Sequence, residues 1–178
     1  FDPGRPFPYI SNLSLSLAIL IRKPNGENHF ARVKVPSILS RLLQIDSIIE
    51  PKKTPGSNGN FTANYIWLGD LIKANLPLLF PGMEIVEAHR FRITRDTDIE
   101  LQEDEADDLL SVIEENIKQR RFGSVVRLEV GHPVPDFMLD TLIDNLQITK
   151  DDVHVSDGPL GLSDVMSLFK LPLHQLKE

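Results

Sequence analysis

The stretch "LSLSLAILIRKPNGENHFARVKV", Leu13–Val35, organises the reading of this chain. It holds two strand-like runs, Leu13–Lys23 and His29–Val35, joined through "PNGE". Asn25-Gly26 is a strong hairpin signal, because both residue types tolerate the positive φ that tight two-residue turns demand. Pro36 has no amide to give a ladder and closes the second strand. The apolar part, "LSLSLAILI", alternates with serine and is far shorter than the ~20 apolar residues of a membrane helix. It reads as a strand.

Working outward, residues 37–49 are apolar without clear period, and Glu50–Asn60, "EPKKTPGSNGN", reads as a mobile polar loop. A short strand is expected at Tyr65–Leu68 and a short helix from about Asp70, stopped or distorted by Pro77. Pro81-Gly82 turns the chain into a long strand, Met83–Arg95. The clearest helix is "EDEADDLLSVIEENIKQRRFG", with Ala106, Leu109, Leu110, Ile113 and Ile117 on one stripe. Acids crowd its first turns, bases its last, and Gly123 stands where a left-handed cap is wanted. A strand, "SVVRLEV", and a helix opening near Pro135 follow, with Leu139, Leu142, Ile143 and Leu146 inward. A strand at Val153–Val155 and a last short helix capped by Ser163 complete the series. A hairpin followed by interleaved strands and helices implies an α+β fold, a mixed sheet with an N-terminal β-hairpin and packed α-helices. No linker-like interior segment appears, so residues 1–178 are expected to form a single domain.

Composition narrows the function classes. The chain has 178 residues, 26 acidic against 19 basic, a formal charge of -7 and no cysteine. An acidic balance argues against a general nucleic-acid binder, which needs clustered cations to displace counterions. Lack of cysteine excludes disulfides, thiolate nucleophiles and cysteine-bound zinc within these residues, and fits a reducing compartment. The two glycosylation sequons, at Asn12 and Asn60, have no secretory signal beside them.

Motifs for chemistry are sparse. The five histidines, His29, His89, His132, His154 and His174, show no metal-ligand spacing. "GSNGNF" lacks the lysine and Ser/Thr of a phosphate-binding loop, and neither GxGxxG nor GxSxG occurs. "DTDIE" begins like a calcium loop but lacks its glycine and closing glutamate; acids at a helix start account for the run. No catalytic, cofactor-binding or metal-binding residue is therefore expected. The remaining feature is "HRFRITRD", His89–Asp96: with period two, Phe91 and Ile93 share one face, and Arg90, Arg92 and Thr94 the other. Arg90, Arg92 and Arg95 are candidates for an anion site or an interface, against the alternative of a solvated face balanced by nearby acids. The group Arg5, Arg32 and Lys34 is a weaker cationic candidate.

Several phrases together resemble one family. "FDPGRPFPYISNLSLSLAILI", "FARVKVP", "LFPGMEIVEAHRFRITRDTDIE", "EADDLLSVIEENIKQRRFGSVVRLEV" and "VHVSDGPLGLSDVMSL" occur in order from end to end. They look like the middle, or head, domain of bacterial polyphosphate kinase. The resemblance implies a parent enzyme that reversibly transfers the terminal phosphate of ATP to polyphosphate, with magnesium, through a phosphohistidine. It places the catalytic histidines and nucleotide contacts mainly in two later domains, with an adenine contact in a small preceding one. No catalytic residue carries over to this chain. What it implies here is a structural and dimerisation domain, partnered by neighbouring domains and a second subunit, in a cytoplasmic enzyme that can also associate peripherally with membrane. A start at Phe1 agrees with a piece of a longer chain. The alternatives are a module that contacts polyphosphate or nucleotide through Arg90, Arg92 and Arg95, and a small autonomous phosphatase or phosphohistidine-handling protein. Two places depart from the family pattern: the loop 50–60 carries no family phrase, and Pro77 interrupts a helix that related sequences continue.

Overall fold

The hairpin forms where Asn25-Gly26 marks it, although Gly26 but not Asn25 takes a positive φ and the Lys23 amide meets the Glu27 carbonyl across a three-residue loop. In the computed structural model, which describes residues 7–45, 64–96 and 123–169, β1 (Leu15–Arg22) and β2 (Asn28–Lys34) pair antiparallel, with Leu17 opposite Val33 and Leu20 opposite Phe30. Gly26 takes φ 86°, its amide reaches the Lys23 carbonyl, and the Asn25 side-chain oxygen accepts from the Glu27 amide. The loop 50–60 and the acid-to-base helix expected up to Gly123 lie outside the described residues, Gly123 itself excepted.

β5 (Glu84–Arg95) lies on the other side of β1, and β6 (Val125–Gly131) beside β5, both antiparallel. β7 (Val153–Ser156) joins β6 in parallel. The order β2-β1-β5-β6-β7 thus makes a five-stranded mixed sheet, the α+β arrangement expected. Two short strands, β3 (Leu42–Gln44) and β4 (Tyr65–Trp67), form a separate antiparallel pair.

Both faces of the sheet are covered, and the central strand shows it. Ala18, Phe91, Ile93, Leu128 and Val130 pack with Ile10 against Met138, Leu142 and Leu146 of α3 (Asp136–Leu146). On the opposite face Leu17, Ile19, Ile21 and Ala88 meet Leu76 of α2 (Leu76–Leu79), with Ile72 of α1 (Leu68–Ala74) beside them. A third cluster joins Leu15, Val35, Leu68 and Leu160. β1 is therefore buried on both sides, serines included: Ser16 is fully buried and accepts from Arg32 Nε at 3.1 Å, and Ser14 donates to the Ser11 carbonyl.

Three details differ from the expectations. Pro77 does interrupt the helix, but the break falls at Asn75 (φ -109°, ψ 14°), and Pro77 sits in the first turn of α2, where a missing amide costs nothing. In α3 the inward stripe is Met138, Leu142 and Leu146, with Leu139 packed at its flank; Ile143 is only half-buried. Ser163 does not cap the last helix. A 3-10 turn at Leu162–Val165 starts from Gly161, whose φ of 74° sets the turn before Ser163 is reached, and runs into α4 (Met166–Phe169).

Candidate arginine site on the long strand

Alternation along β5 places the candidate arginines on opposite sides of the sheet. Arg90 and Arg92 stand opposite Leu17 and Leu15, on the face covered by α1 and α2. A register shift between Thr94 and Arg95 accompanies the end of the strand. Arg95 lies on the α3 side, in an open cleft with Tyr9, Ser124, Asn145 and Gln147. The three do not converge on one point.

Each is engaged. Arg90 Nη1 is 3.3 Å from Asp70 of α1, and its side chain crosses between Gly69 and Gly131. Arg92 Nη1 donates to Glu129 Oε2 at 2.9 Å, and its Nε reaches the Leu13 carbonyl at 3.4 Å. Leu13 holds φ 57°, an uncommon value for a leucine, and its amide donates to the Ile93 carbonyl. Arg95 donates from Nε to the Ile10 carbonyl at 2.9 Å and from Nη1 to the Gly123 carbonyl at 2.6 Å. Its guanidinium also lies 4.6 Å from the Tyr9 ring centroid. Among the described residues no carboxylate pairs with it. Arg95 thus ties the segment before β1 to the start of β6, using a fork that lysine lacks.

The lane around Arg90 and Arg92 contains residues that the linear pattern did not mark. Arg41, just before β3, lies 3.5 Å from Asp164 and donates to the Val35 carbonyl. Arg127 shares Glu129 with Arg92, at 3.4 Å. Leu160 and Asp164 close a small pocket over Arg90 together with Leu15, Arg41 and Gly69. Period-two reading of "VVRLEV" places Arg127 and Glu129 on one face; Asp70, Arg41 and Asp164 come from separate segments and carry no such signal. Elsewhere, Arg32 donates to Ser16 Oγ and to the Tyr9 carbonyl, and burial lowers its guanidinium from the ordinary value. Lys34 is exposed and Arg5 lies outside the described residues.

The histidines are dispersed. His29 sits by Glu27 at the hairpin, His89 pairs with Glu87 on the α3 side, His132 lies 3.0 Å from Asp157, and His154 is on β7. His174 lies outside the described residues. Among the described residues no three His, Asp or Glu side chains converge as metal ligands would.

Comparison with known proteins fixes the family. A family model described as the polyphosphate kinase middle domain matches residues 1–168. The chain belongs to that family. Curated relatives of this middle domain include polyphosphate kinases of Chlorobaculum tepidum, 47% identical over 179 residues, Aphanizomenon baltica, 47% over 181, and Mycobacterium tuberculosis, 42% over 178. The alignments take in 100%, 99% and 99% of this chain, but 25%, 46% and 24% of those proteins. The chain therefore spans from about a quarter to just under half of the length of these relatives. A crystal structure of polyphosphate kinase from Porphyromonas gingivalis has the same fold over 99% of the chain, at a TM-score of 0.66 and 19% identity, and is itself 22% covered.

Proposed function

We propose that residues 1–178 act as one structural and dimerisation domain of an ATP:polyphosphate phosphotransferase. The whole enzyme would move the terminal phosphate of ATP reversibly onto polyphosphate through a phosphohistidine carried by other domains, with ATP and magnesium bound there. Membership of the middle-domain family supports this reading. So does the observation that carries it: the three arginines of β5 join elements, Arg90 to α1, Arg92 to β6, and Arg95 to the segments around Ile10 and Gly123. A phosphoryl-transfer centre instead needs a nucleophile and its activating groups within one hydrogen bond of each other.

Interface material is at hand. Leu78 and Leu79 of α2 are 79% and 55% exposed, and Leu71 of α1 adds to them. Exposed apolar groups of that kind suit contact with a second subunit or a neighbouring domain. No helix among the described residues is long and apolar enough to cross a membrane, and a cytoplasmic enzyme is the setting we infer.

The test is an assay of this chain for ATP-dependent polyphosphate synthesis, with sedimentation of the full enzyme carrying charge reversals on this domain's surface. No turnover and a reduced mass are expected. Turnover by the chain alone overturns the non-catalytic role, and an unchanged mass for every exposed patch overturns the dimer role.

A second reading, that the β5 arginines contact phosphate, is favoured by one observation. Among the described residues four arginines, Arg41, Arg90, Arg92 and Arg127, share three carboxylates, Asp70, Glu129 and Asp164.

A further inference from the structure

The turn of the β1–β2 hairpin carries chemistry that the rest of the fold does not use. Of the described asparagines only Asn25 precedes a glycine; Asn12, Asn28, Asn64, Asn75 and Asn145 are followed by Leu, His, Tyr, Leu and Leu. Asn25, Gly26 and Glu27 are all exposed. A glycine nitrogen after an asparagine is the least hindered backbone nucleophile toward the side-chain carbonyl carbon, because no Cβ stands beside it. The surroundings are open as well, since a Cβ built on Gly26 would meet nothing within 4 Å.

The loop gathers the reacting groups. Pro24 and Asn25 are the central residues of a turn in which the Gly26 amide donates to the Lys23 carbonyl at 2.9 Å. Asn25 Oδ1 accepts from the Glu27 amide at 3.1 Å. A bond from an asparagine side chain to the amide two residues on closes a ring that folds the side chain over the intervening peptide. Here that peptide is Asn25–Gly26, and the Glu27 amide stands where negative charge develops on Oδ1 during attack at Cγ. The Asn25 side chain also reaches the Glu27 carboxylate, which is held below the ordinary carboxylate range by that hydrogen bond first and by the one to His29 next. One bond opposes reaction: the Gly26 nitrogen must release the Lys23 carbonyl to face Cγ. The ladder beyond, closed by the Lys23 amide on the Glu27 carbonyl at 2.9 Å, need not open.

We propose that Asn25 is a site of spontaneous modification, converted through a cyclic imide with Gly26 to aspartate and isoaspartate. The Gly26 nitrogen gives its proton to hydroxide and bonds to Asn25 Cγ. The Cγ–Nδ2 bond then breaks, and the amide nitrogen leaves as ammonia after taking a proton from water. Water opens the imide at either carbonyl, giving aspartate from one and isoaspartate from the other. The reaction consumes only water and needs no oxidant, metal or second protein. Its product replaces a neutral donor with a carboxylate beside Glu27, and isoaspartate also adds a methylene to the main chain of the loop. Both changes loosen the start of β2, an outer strand of the sheet. The site is independent of the phosphoryl chemistry of the whole enzyme.

The test keeps this chain native at mildly alkaline pH beside a sample unfolded in urea, and follows Asn25 by peptide mass mapping. Conversion in the native chain should be slower than in the unfolded one by about twofold to tenfold, the usual worth of one hydrogen bond. Isoaspartate in the Asn25 peptide is read by enzymatic carboxyl methylation with labelled S-adenosylmethionine. Asn28, also exposed but followed by histidine, should stay intact over the same period. Asn25→Gln, whose longer side chain would have to close a larger ring, should abolish methyl acceptance by that peptide. A native chain that stays intact at Asn25 while the unfolded one converts overturns the proposal. So does aspartate without isoaspartate, which would mean direct hydrolysis and no imide. Equal conversion of Asn28 overturns it too, because exposure and not the turn would then decide.

Discussion

Replacing Phe91 by alanine tests the face assignment on which the fold rests. Phe91 is fully buried, packed on the α3 side with Ile10, Met138 and Leu142. Losing a wholly buried aromatic side chain forfeits its transfer free energy, about 1.5–3 kcal/mol. The cavity left between sheet and helix adds to this, for a total of about 3–5 kcal/mol. In a chain of this length that corresponds to a fall in melting temperature of roughly 10 °C. Urea unfolding should show a lower midpoint at unchanged slope, since the surface exposed on unfolding barely changes. Thr94→Ala, three residues along β5 on the opposite face, is the internal control and should stay within about 0.5 kcal/mol. Equal effects from the two substitutions, or less than about 1 kcal/mol from Phe91→Ala, would refute the register and the packing derived from it.

Other substitutions probe separate links. Leu160→Ala, at a residue 5% exposed in the third cluster, should cost about 2–4 kcal/mol and make the 159–169 segment the first target of limited proteolysis. Gly161→Ala should cost about 1–2 kcal/mol by thermal unfolding; its cause is torsional, because the added Cβ would meet Asp164 Oδ2 at an ordinary 3.5 Å while the backbone holds φ 74°. Asp152 is held below the usual carboxylate range by the backbone and then the side-chain hydrogen bond of Thr149. A depressed carboxyl contributes stability above its unfolded pKa and loses it as pH falls through the folded value. Thr149→Ala, which keeps the backbone amide and removes the hydroxyl, should therefore raise the Asp152 titration seen by NMR part of the way toward the ordinary range, and an unmoved midpoint would disprove the hydroxyl's share.

The elements that were legible in the chain are those whose signals are local. Asn25-Gly26 specifies a turn through its own φ preferences, and the alternation of Phe91 and Ile93 with Arg90 and Arg92 names two faces without reference to any neighbour. Pro77 likewise ends a helix by its ring alone, although the exact break, at Asn75, follows from Leu76 being drawn into the core. Ser163 misled because its capping chemistry was outweighed by the backbone of Gly161 two residues earlier.

The candidate site was legible only in part. Alternation correctly puts Arg90 and Arg92 on the face opposite Phe91 and Ile93, and Arg95 on the side of those two, but it does not tell that the arginine face is itself covered by apolar groups of α1 and α2. Asp70 and Asp164 lie 20 or more positions along the chain from the arginines they meet, as does Glu129 from Arg92, whereas the Arg127–Glu129 pair, two positions apart, is one the period-two pattern shows. Short-range order along the chain follows from torsional preference and side-chain period, which each residue carries with it. Which charges end up within one hydrogen bond of one another, and so which remain available to a ligand, follows from the pairing of distant strands, and only the folded sheet decides that.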